Sequence, residues 1–322
     1  MTDTDETTET DPPAAVSGAG DGDGGWFVGL AGDADPEGDA ERVQTGSAAA
    51  PRDWPSIAVD EGVVDSRATY YDRLHAATTA ATRSAVRERE RADDQQLVHA
   101  VRAMDDCEQL ANELAERVAA WAGSRFPSSS PGIAGARALA DEAQTDEAQT
   151  DEERTDELDR RVVSLATRVA ELADERDALE TTIERTAPAV APNLAAMAGA
   201  TLAARLIALA GGLESLAKKP AGTVQVLGAE DALFAHLAGR APSPKHGVIY
   251  THEFVRGTRP DDRGSAARAL AGKLALAARV DHYAGTYRAS LHDDLRERMA
   301  TIRARADGNG ETDGGDGTDG TD

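Results

Sequence analysis

The sequence predicts a mainly all-α protein: an antiparallel coiled-coil helical hairpin followed by a compact helical domain, with a degenerate short α/β remnant in front and disordered acidic tails. Three observations carry this reading. Aromatic residues make up only 4% of a chain that is 40% hydrophobic, so Ala, Leu and Val fill most apolar positions, a mixture suited to closely packed helices. From Leu158 through Val162, Leu165, Val169, Leu172, Arg176 and Leu179 to Ile183 the steps run 4-3-4-3-4-3-4, with one polar interruption, which is the seam of a coiled coil. Beyond Pro188 and Pro192, shorter apolar runs broken by Gly and Pro mark a string of shorter helices.

Residues 1–25 are Thr, Asp, Gly and Pro with few large side chains, and 306–322 share that composition; both read as solvated tails. Between residues 26 and 60 the run Trp26-Phe27-Val28-Gly29-Leu30 reads as one short strand ahead of a Gly, Asp and Ala-rich stretch, room for a remnant domain only. Residues 61–186 read as the coiled-coil domain. Asp65-Ser66 is a capping pair that opens a helix with Tyr70, Tyr71, Leu74, Ala77 and Ala81 on one face. A second long helix carries Leu97, Val101, Met104, Ala111, Leu114, Val118 and Trp121 and stops before Phe126-Pro127.

The acidic repeat at 141–155, Asp141-Glu142-Ala143-Gln144-Thr145 and its two successors, either extends a helix or forms a solvated hinge; three copies of five residues cannot make a solenoid. Pro188 and Pro192 are expected to end the coil. Residues 187–305 then form a compact domain with helices near 193–210, 229–238, 264–283 and 288–305. Long helices separated by a turn fold back on each other to bury their seams, although heptads alone leave an intermolecular coil open.

The formal charge is −24, which by itself argues against a polyanionic partner, but the distribution is uneven. Residues 1–60 hold fourteen acids against two bases, whereas 205–279 hold eleven bases against six acids. The acid-rich remainder suits a protein of high-salt cytoplasm, where carboxylates keep the surface hydrated. A single cysteine, Cys107, leaves no intrachain disulfide framework or thiolate cluster and fits a reducing cytoplasm. The apolar stretch 194–213 is interrupted by Arg205 and rich in Ala and Gly, so a core helix is expected and no membrane association.

The cationic segment is where chemistry concentrates. Lys218-Lys219, Lys245-His246-Gly247, Arg256 and Arg263 sit in or near turns, where their charges can converge on a phosphate backbone. Gly228-Ala229-Glu230 follows Thr223-Val224-Gln225-Val226 and can start a helix whose free amides attract phosphate; an ordinary glycine ahead of a helix is the other reading. Lys218 and Lys219 could equally be a solvated helix C-terminus. His246 can stack on an unpaired base. No nucleophile motif accompanies His246 or His252, and the spacings of His246, His252 and His282 match no zinc pattern, so neither catalysis, metal nor cofactor is expected.

Several runs carry a resemblance. Ala191-Pro192-Asn193-Leu194, Arg205-Leu206-Ile207, Leu216-Ala217-Lys218, Thr223-Val224-Gln225-Val226-Leu227-Gly228-Ala229-Glu230, Pro244-Lys245-His246-Gly247 and Ala277-Ala278-Arg279-Val280-Asp281 resemble the Nop domain. Asp65-Ser66-Arg67 through His75, and Ala100 to Asp106, resemble that family's coiled-coil domain. The resemblance implies an archaeal core scaffold of the box C/D small ribonucleoprotein, which is not itself an enzyme. Implied partners are a box C/D guide RNA, the ribosomal-protein-like binder of its kink-turn, a fibrillarin-type methyltransferase that performs ribose 2′-O-methylation, and a second copy through the coiled coil.

By position, Gly228, Ala229 and Glu230 would lie at the RNA, Lys245 and His246 in the contacting loop, and Arg263 near the phosphates. The segment 26–60 stands where the family has its fibrillarin-gripping domain. Asp231, Ala235 and Ser265 occupy places where the family usually carries a cation. The competing reading is a structural coiled-coil protein that binds no RNA.

Overall fold

The structure, a computed structural model, describes residues 25–27, 35–46, 50–147 and 157–310. The tails before residue 25 and after 310 lie outside them. Among the described residues all regular structure is helical, so the all-α expectation holds, and the chain divides into two compact units, 1–90 and 91–322.

In the first unit, helices α1 (Pro36–Thr45), α2 (Trp54–Asp60) and α3 (Arg67–Arg91) surround a small aromatic core. Prolines Pro36 and Pro55 stand in first turns, where a missing N–H costs nothing, and Ser66 Oγ accepts the Thr69 amide to open α3. Phe27 is buried and meets Trp54 and Tyr70 edge-on, while Trp26 Nε1 donates to the Tyr70 hydroxyl at 3.1 Å. Beneath them Arg73 donates to both oxygens of Asp39, at 2.6 and 3.0 Å, with the two side chains only 6% and 1% exposed.

Two expectations change here. Trp26 and Phe27 form a turn rather than the start of a strand, because a two-ring anchor against Tyr70 uses both faces of the chain at once; Val28, Gly29 and Leu30 lie outside the described residues. The unit boundary falls at residue 90, not near 60, since α3 buries Tyr70, Arg73 and Ala77 against the preceding segment.

The second unit opens with α4 (Asp93–Ala122) and α6 (Glu157–Val190), paired antiparallel: Leu97, Val98, Val101 and Met104 share a core with Ile183 and Ala187, while Ala115, Val118 and Ala122 share one with Val162, Ala166 and Val169. The coil is therefore made within one chain. Its buried positions are largely Ala and Val, with Leu165, Leu172 and Leu179 only half-buried, so small residues bring the helices close and the leucines flank the seam.

Helix α5 (Gly132–Glu147) inserts Ala136, Leu139 and Ala140 into the distal core and turns the tip of the hairpin into three helices. Arg137 reaches Asp174 of α6 at 2.5 Å, and Arg125 pairs with Asp159. The first copy of the acidic repeat continues α5; residues 148–156 lie outside the described residues.

Pro188 does not end the coil. It lies in the last turn of α6, where it forfeits a single hydrogen bond, and Ala187 packing holds the helix on to Val190. Consequently the hairpin and the following domain share one core, and no break in packing occurs near 186.

The apolar run expected as one helix over 193–210 is two, α7 (Pro192–Ala198) and α8 (Ala200–Ala210), bent by 119° about Gly199. The bend lets Leu194, Met197, Leu202, Leu206 and Ile207 all face the core, which a straight helix could not do. No single helix among the described residues is long and apolar enough to cross a membrane.

Short helices α9 (Leu213–Lys218), α10 (Ala221–Val226) and α12 (Glu253–Arg256), with a 3₁₀ turn at Val248–Thr251, pack around the long α13 (Arg263–Tyr283), while α11 (Glu230–Leu237) buries none of its side chains. Helix α13 is the spine: Ala266, Ala267, Leu270, Ala271, Leu274, Ala275, Ala277 and Ala278 are all buried. Helix α14 (Ala289–Gly310) packs Leu295 and Met299 on the same core and runs past 305, where a tail was expected to begin.

One buried polar knot fastens the ends of this domain. The Asp281 carboxylate accepts from the Asn193 and Leu194 amides at 2.9 and 2.8 Å and from Asn193 Nδ2 at 2.6 Å. Asn193 also donates to Thr286 O and accepts the Arg288 amide, so the α13–α14 connection is held on both sides of Tyr287.

Candidate nucleic-acid interface

The corner at the start of α13 is assembled by a crossing of two loops. The loop before the 3₁₀ turn passes over the end of α10, where the Gly247 amide donates to Gln225 O at 2.8 Å and the Val248 amide to Leu227 O at 2.7 Å. Gln225 Nε2 in turn donates to Lys245 O at 2.7 Å. A β-carbon on Gly247 would lie 1.9 Å from Leu227 O, so only glycine permits this approach.

Gly228, with φ +79°, then turns the chain into α11, and its amide donates to Glu230 Oε1 at 2.9 Å. That bond corrects one expectation: the Gly228 amide is capped by the chain's own carboxylate rather than left open to phosphate, and Asp231 adds a second acid to that first turn. Ala229 is the N-cap residue between them.

On this frame the side chains converge. The His246 ring stacks on Tyr250 with centroids 4.6 Å apart and planes 22° from parallel, and the Arg263 guanidinium lies 5.5 Å from the centre of the same Tyr250 ring. Arg263 Nε donates to Thr258 O at 3.1 Å and Nη2 to Arg256 O at 3.4 Å, which fixes the guanidinium beside the ring. The Lys245 stem runs past Gly264, within 3.8 Å of where a β-carbon there would stand. Burial lowers the His246 pKa from its ordinary value against the raising effect of its own backbone, and the Arg263 and Lys245 charges add to the lowering, which favours the neutral imidazole and leaves the ring available for stacking.

Of the residues singled out in the sequence, Gly228, Ala229, Glu230, Lys245, His246 and Arg263 thus occupy one corner. Arg256 is exposed on α12, and its backbone carbonyl touches the same corner through Arg263. Lys218 and Lys219 do not join it. They stand at the opposite end of α13, where Arg279 donates to Ala217 O and Lys219 O, about 24 Å from Arg263 along the helix axis. Sequence reasoning missed Tyr250 and Gln225. Tyr250 lies four residues beyond His246, and the 3₁₀ turn that stacks the two rings has no periodic signature in so short a stretch.

His252 has a structural role. Its Nδ1 accepts the Phe254 amide at 3.0 Å, so Nε2 carries the proton and donates to Met197 O at 3.1 Å. Burial, with His292 acting the same way, lowers its pKa against the raising effect of Met197 O and Glu253. Below the unfolded value near 6.5 the unfolded chain takes up a proton that the folded ring resists, so stability is complete above that pH and falls as pH drops toward the folded pKa. Urea unfolding of the wild type should therefore weaken between pH 7 and pH 5.5, and His252→Gln should show a shallower fall. Equal slopes would remove His252 as a contributor.

Comparisons with known proteins agree with this domain. Residues 92–302 match the family described as Nop, snoRNA binding domain, fibrillarin. The chain is 49% identical over 145 residues to an uncharacterized NOP5 family protein of Methanocaldococcus jannaschii, covering 45% of this chain and 35% of that protein. It is 36% identical over 215 residues to nucleolar protein 58 of Schizosaccharomyces pombe, covering 58% and 42%, and 39% identical over 138 residues to human nucleolar protein 56, covering 43% and 23%. The crystal structure of a fibrillarin/Nop5p complex aligns with a TM-score of 0.47 at 25% identity, over 82% of this chain and 92% of that one. The chain thus spans less than half the length of the curated relatives it matches. With the family match extending over well more than half of its residues, the chain belongs to the Nop family.

Proposed function

We propose that this protein is a non-catalytic scaffold of a box C/D ribonucleoprotein: it binds a guide-RNA kink-turn together with the small protein already on it, and holds a fibrillarin-type methyltransferase in place for ribose 2′-O-methylation. The observation that carries the reading is the corner where His246, Tyr250 and Arg263 layer against one another beside Lys245, inside a domain of the Nop family. A neutral ring for stacking and two flanking cations suit a bent RNA better than a protein surface.

An overall charge of −24 does not oppose this, because carboxylates remote from the corner are screened over about 8 Å at physiological ionic strength and about 3 Å at 1 M. Self-association belongs to the hairpin, where Leu110 and Trp121 of α4 are exposed, and methyltransferase binding to the first unit.

A gel shift with kink-turn RNA and its small binding protein tests the proposal. The full chain should join them cooperatively. Lys245→Ala with Arg263→Ala should weaken the complex and lower the log–log dependence of binding on salt by about two, one for each phosphate that is no longer neutralised. Failure of the wild-type chain to join the RNA would leave the structural coiled-coil reading in its place.

A further inference from the structure

The other end of α13 carries a second concentration of cations and rings. Lys218 and Lys219 close α9, and the Arg279 guanidinium clamps the carbonyls of Ala217 and Lys219 at 3.1 and 3.2 Å, tying that end of α9 to the spine. One turn further along α13, Tyr283 is 69% exposed, lies near enough to Lys218 to influence its protonation, and packs edge-on against His282 at 4.6 Å. Tyr287, 56% exposed, follows in the connection to α14.

The chain is only 4% aromatic, and Tyr283 and Tyr287 are two of the rings it leaves in solvent, as it does Tyr71 and Phe234; these two stand beside cations. Tyr287 is fixed in position, because Asn193 binds Thr286 O at 2.9 Å and the Arg288 amide at 2.7 Å on either side of it. An exposed ring on an immobilised backbone loses little entropy when something stacks on it. Glu214 pairs with Lys218 at 2.5 Å, a bond that a phosphate would have to displace, and Asp281 is buried in its own hydrogen bonds.

We propose that Lys218, Lys219, Tyr283 and Tyr287 form a second RNA contact that takes an unpaired segment, with bases stacked on the tyrosine rings and phosphates at the lysines. This rests on the scaffold reading above and adds to it a place for RNA beyond the bent stem. A protein partner would ask for a larger apolar centre than two separate rings among cations provide. Exposed rings beside cations are instead the arrangement that binds single strands without reading their sequence. The span of about 24 Å between the two corners places the second contact well outside the first, so one RNA must extend along α13 to reach both.

The test uses the full chain with a kink-turn hairpin RNA carrying its small binding protein, in two forms: a blunt stem, and the same stem with a single-stranded uridine extension. Wild type should bind the extended form more tightly. Tyr283→Ser with Tyr287→Ser should reduce that affinity about tenfold, in the range of one or two stacked bases, and leave the blunt form unchanged. Lys218→Ala with Lys219→Ala should lower the salt dependence for the extended form alone. Photocrosslinking of 5-iodouridine in the extension should mark Tyr283 or Tyr287, a readout that does not depend on any variant. No preference for the extended form, or a preference untouched by the tyrosine variants, overturns the second contact while leaving the first. Loss of binding to both forms by wild type overturns the scaffold reading and this one with it.

Discussion

Gly247→Ala is expected to unfold the crossing on which the first corner is built, lowering stability by about 2–4 kcal/mol and weakening kink-turn RNA binding at least as much as removal of Lys245 and Arg263 together. The new methyl would lie 1.9 Å from Leu227 O and 2.7 Å from the carbonyl carbons of Val226 and Leu227. These are backbone atoms, so no side chain can swing aside. The loop must lift, and the amides of Gly247 and Val248 lose Gln225 O and Leu227 O. His246 then leaves Tyr250. Gly264→Ala is the control: its methyl would meet only the Lys245 stem at 3.8 Å, and inside α13 it should be neutral or stabilising by up to about 1 kcal/mol. Thermal unfolding and gel shifts on both variants distinguish them, and similar behaviour of the two would show that the crossing is not tight.

Arg73→Ala should open the first unit. It leaves the Asp39 carboxylate, 1% exposed, without the guanidinium that satisfies both its oxygens. Breaking a buried pair from one side commonly costs 3–5 kcal/mol; about 3 is expected here, because only three helices and a turn cover the pair. A unit this small has little stability to spare. The double variant Arg73→Met with Asp39→Leu, which removes both charges and keeps the volume, should recover most of the stability. Hydrogen exchange across α1 and α3 would report it, and an Arg73→Ala profile matching wild type would mean that water reaches Asp39.

Much of the fold was legible in the sequence where one physical signal dominated. The 3-4 spacing located α4 and α6, and the alanine-rich run of α13 was placed over 264–283 against 263–283 in the structure. Where two signals competed, packing prevailed over local rules. Pro188 reads as a stop, yet Ala187 is fully buried and the helix passes through. The run 193–210 reads as one helix because each half is apolar, while the core has two walls to fill. Helix α5 was hidden because its buried face is three small or medium residues, Ala136, Leu139 and Ala140, beside an acidic repeat.

The site followed the same pattern. Residue types and turns marked the cations, but not how α13 sorts them between its two ends. The capping of the Gly228 amide by Glu230 depends on a rotamer that sequence does not specify.

The uninterrupted course of α6 has a mechanical consequence. Its 34 residues form a rod about 51 Å long, with Val162 clamped in the distal triple bundle and Ile183 and Ala187 rooted in the core that also supports α13. Because no joint separates root from tip, a rotation of a few degrees imposed where the rod is embedded swings its far end through several ångströms. Cargo fastened to that end would therefore register small displacements of whatever grips the base, and would do so without any flexible part in between.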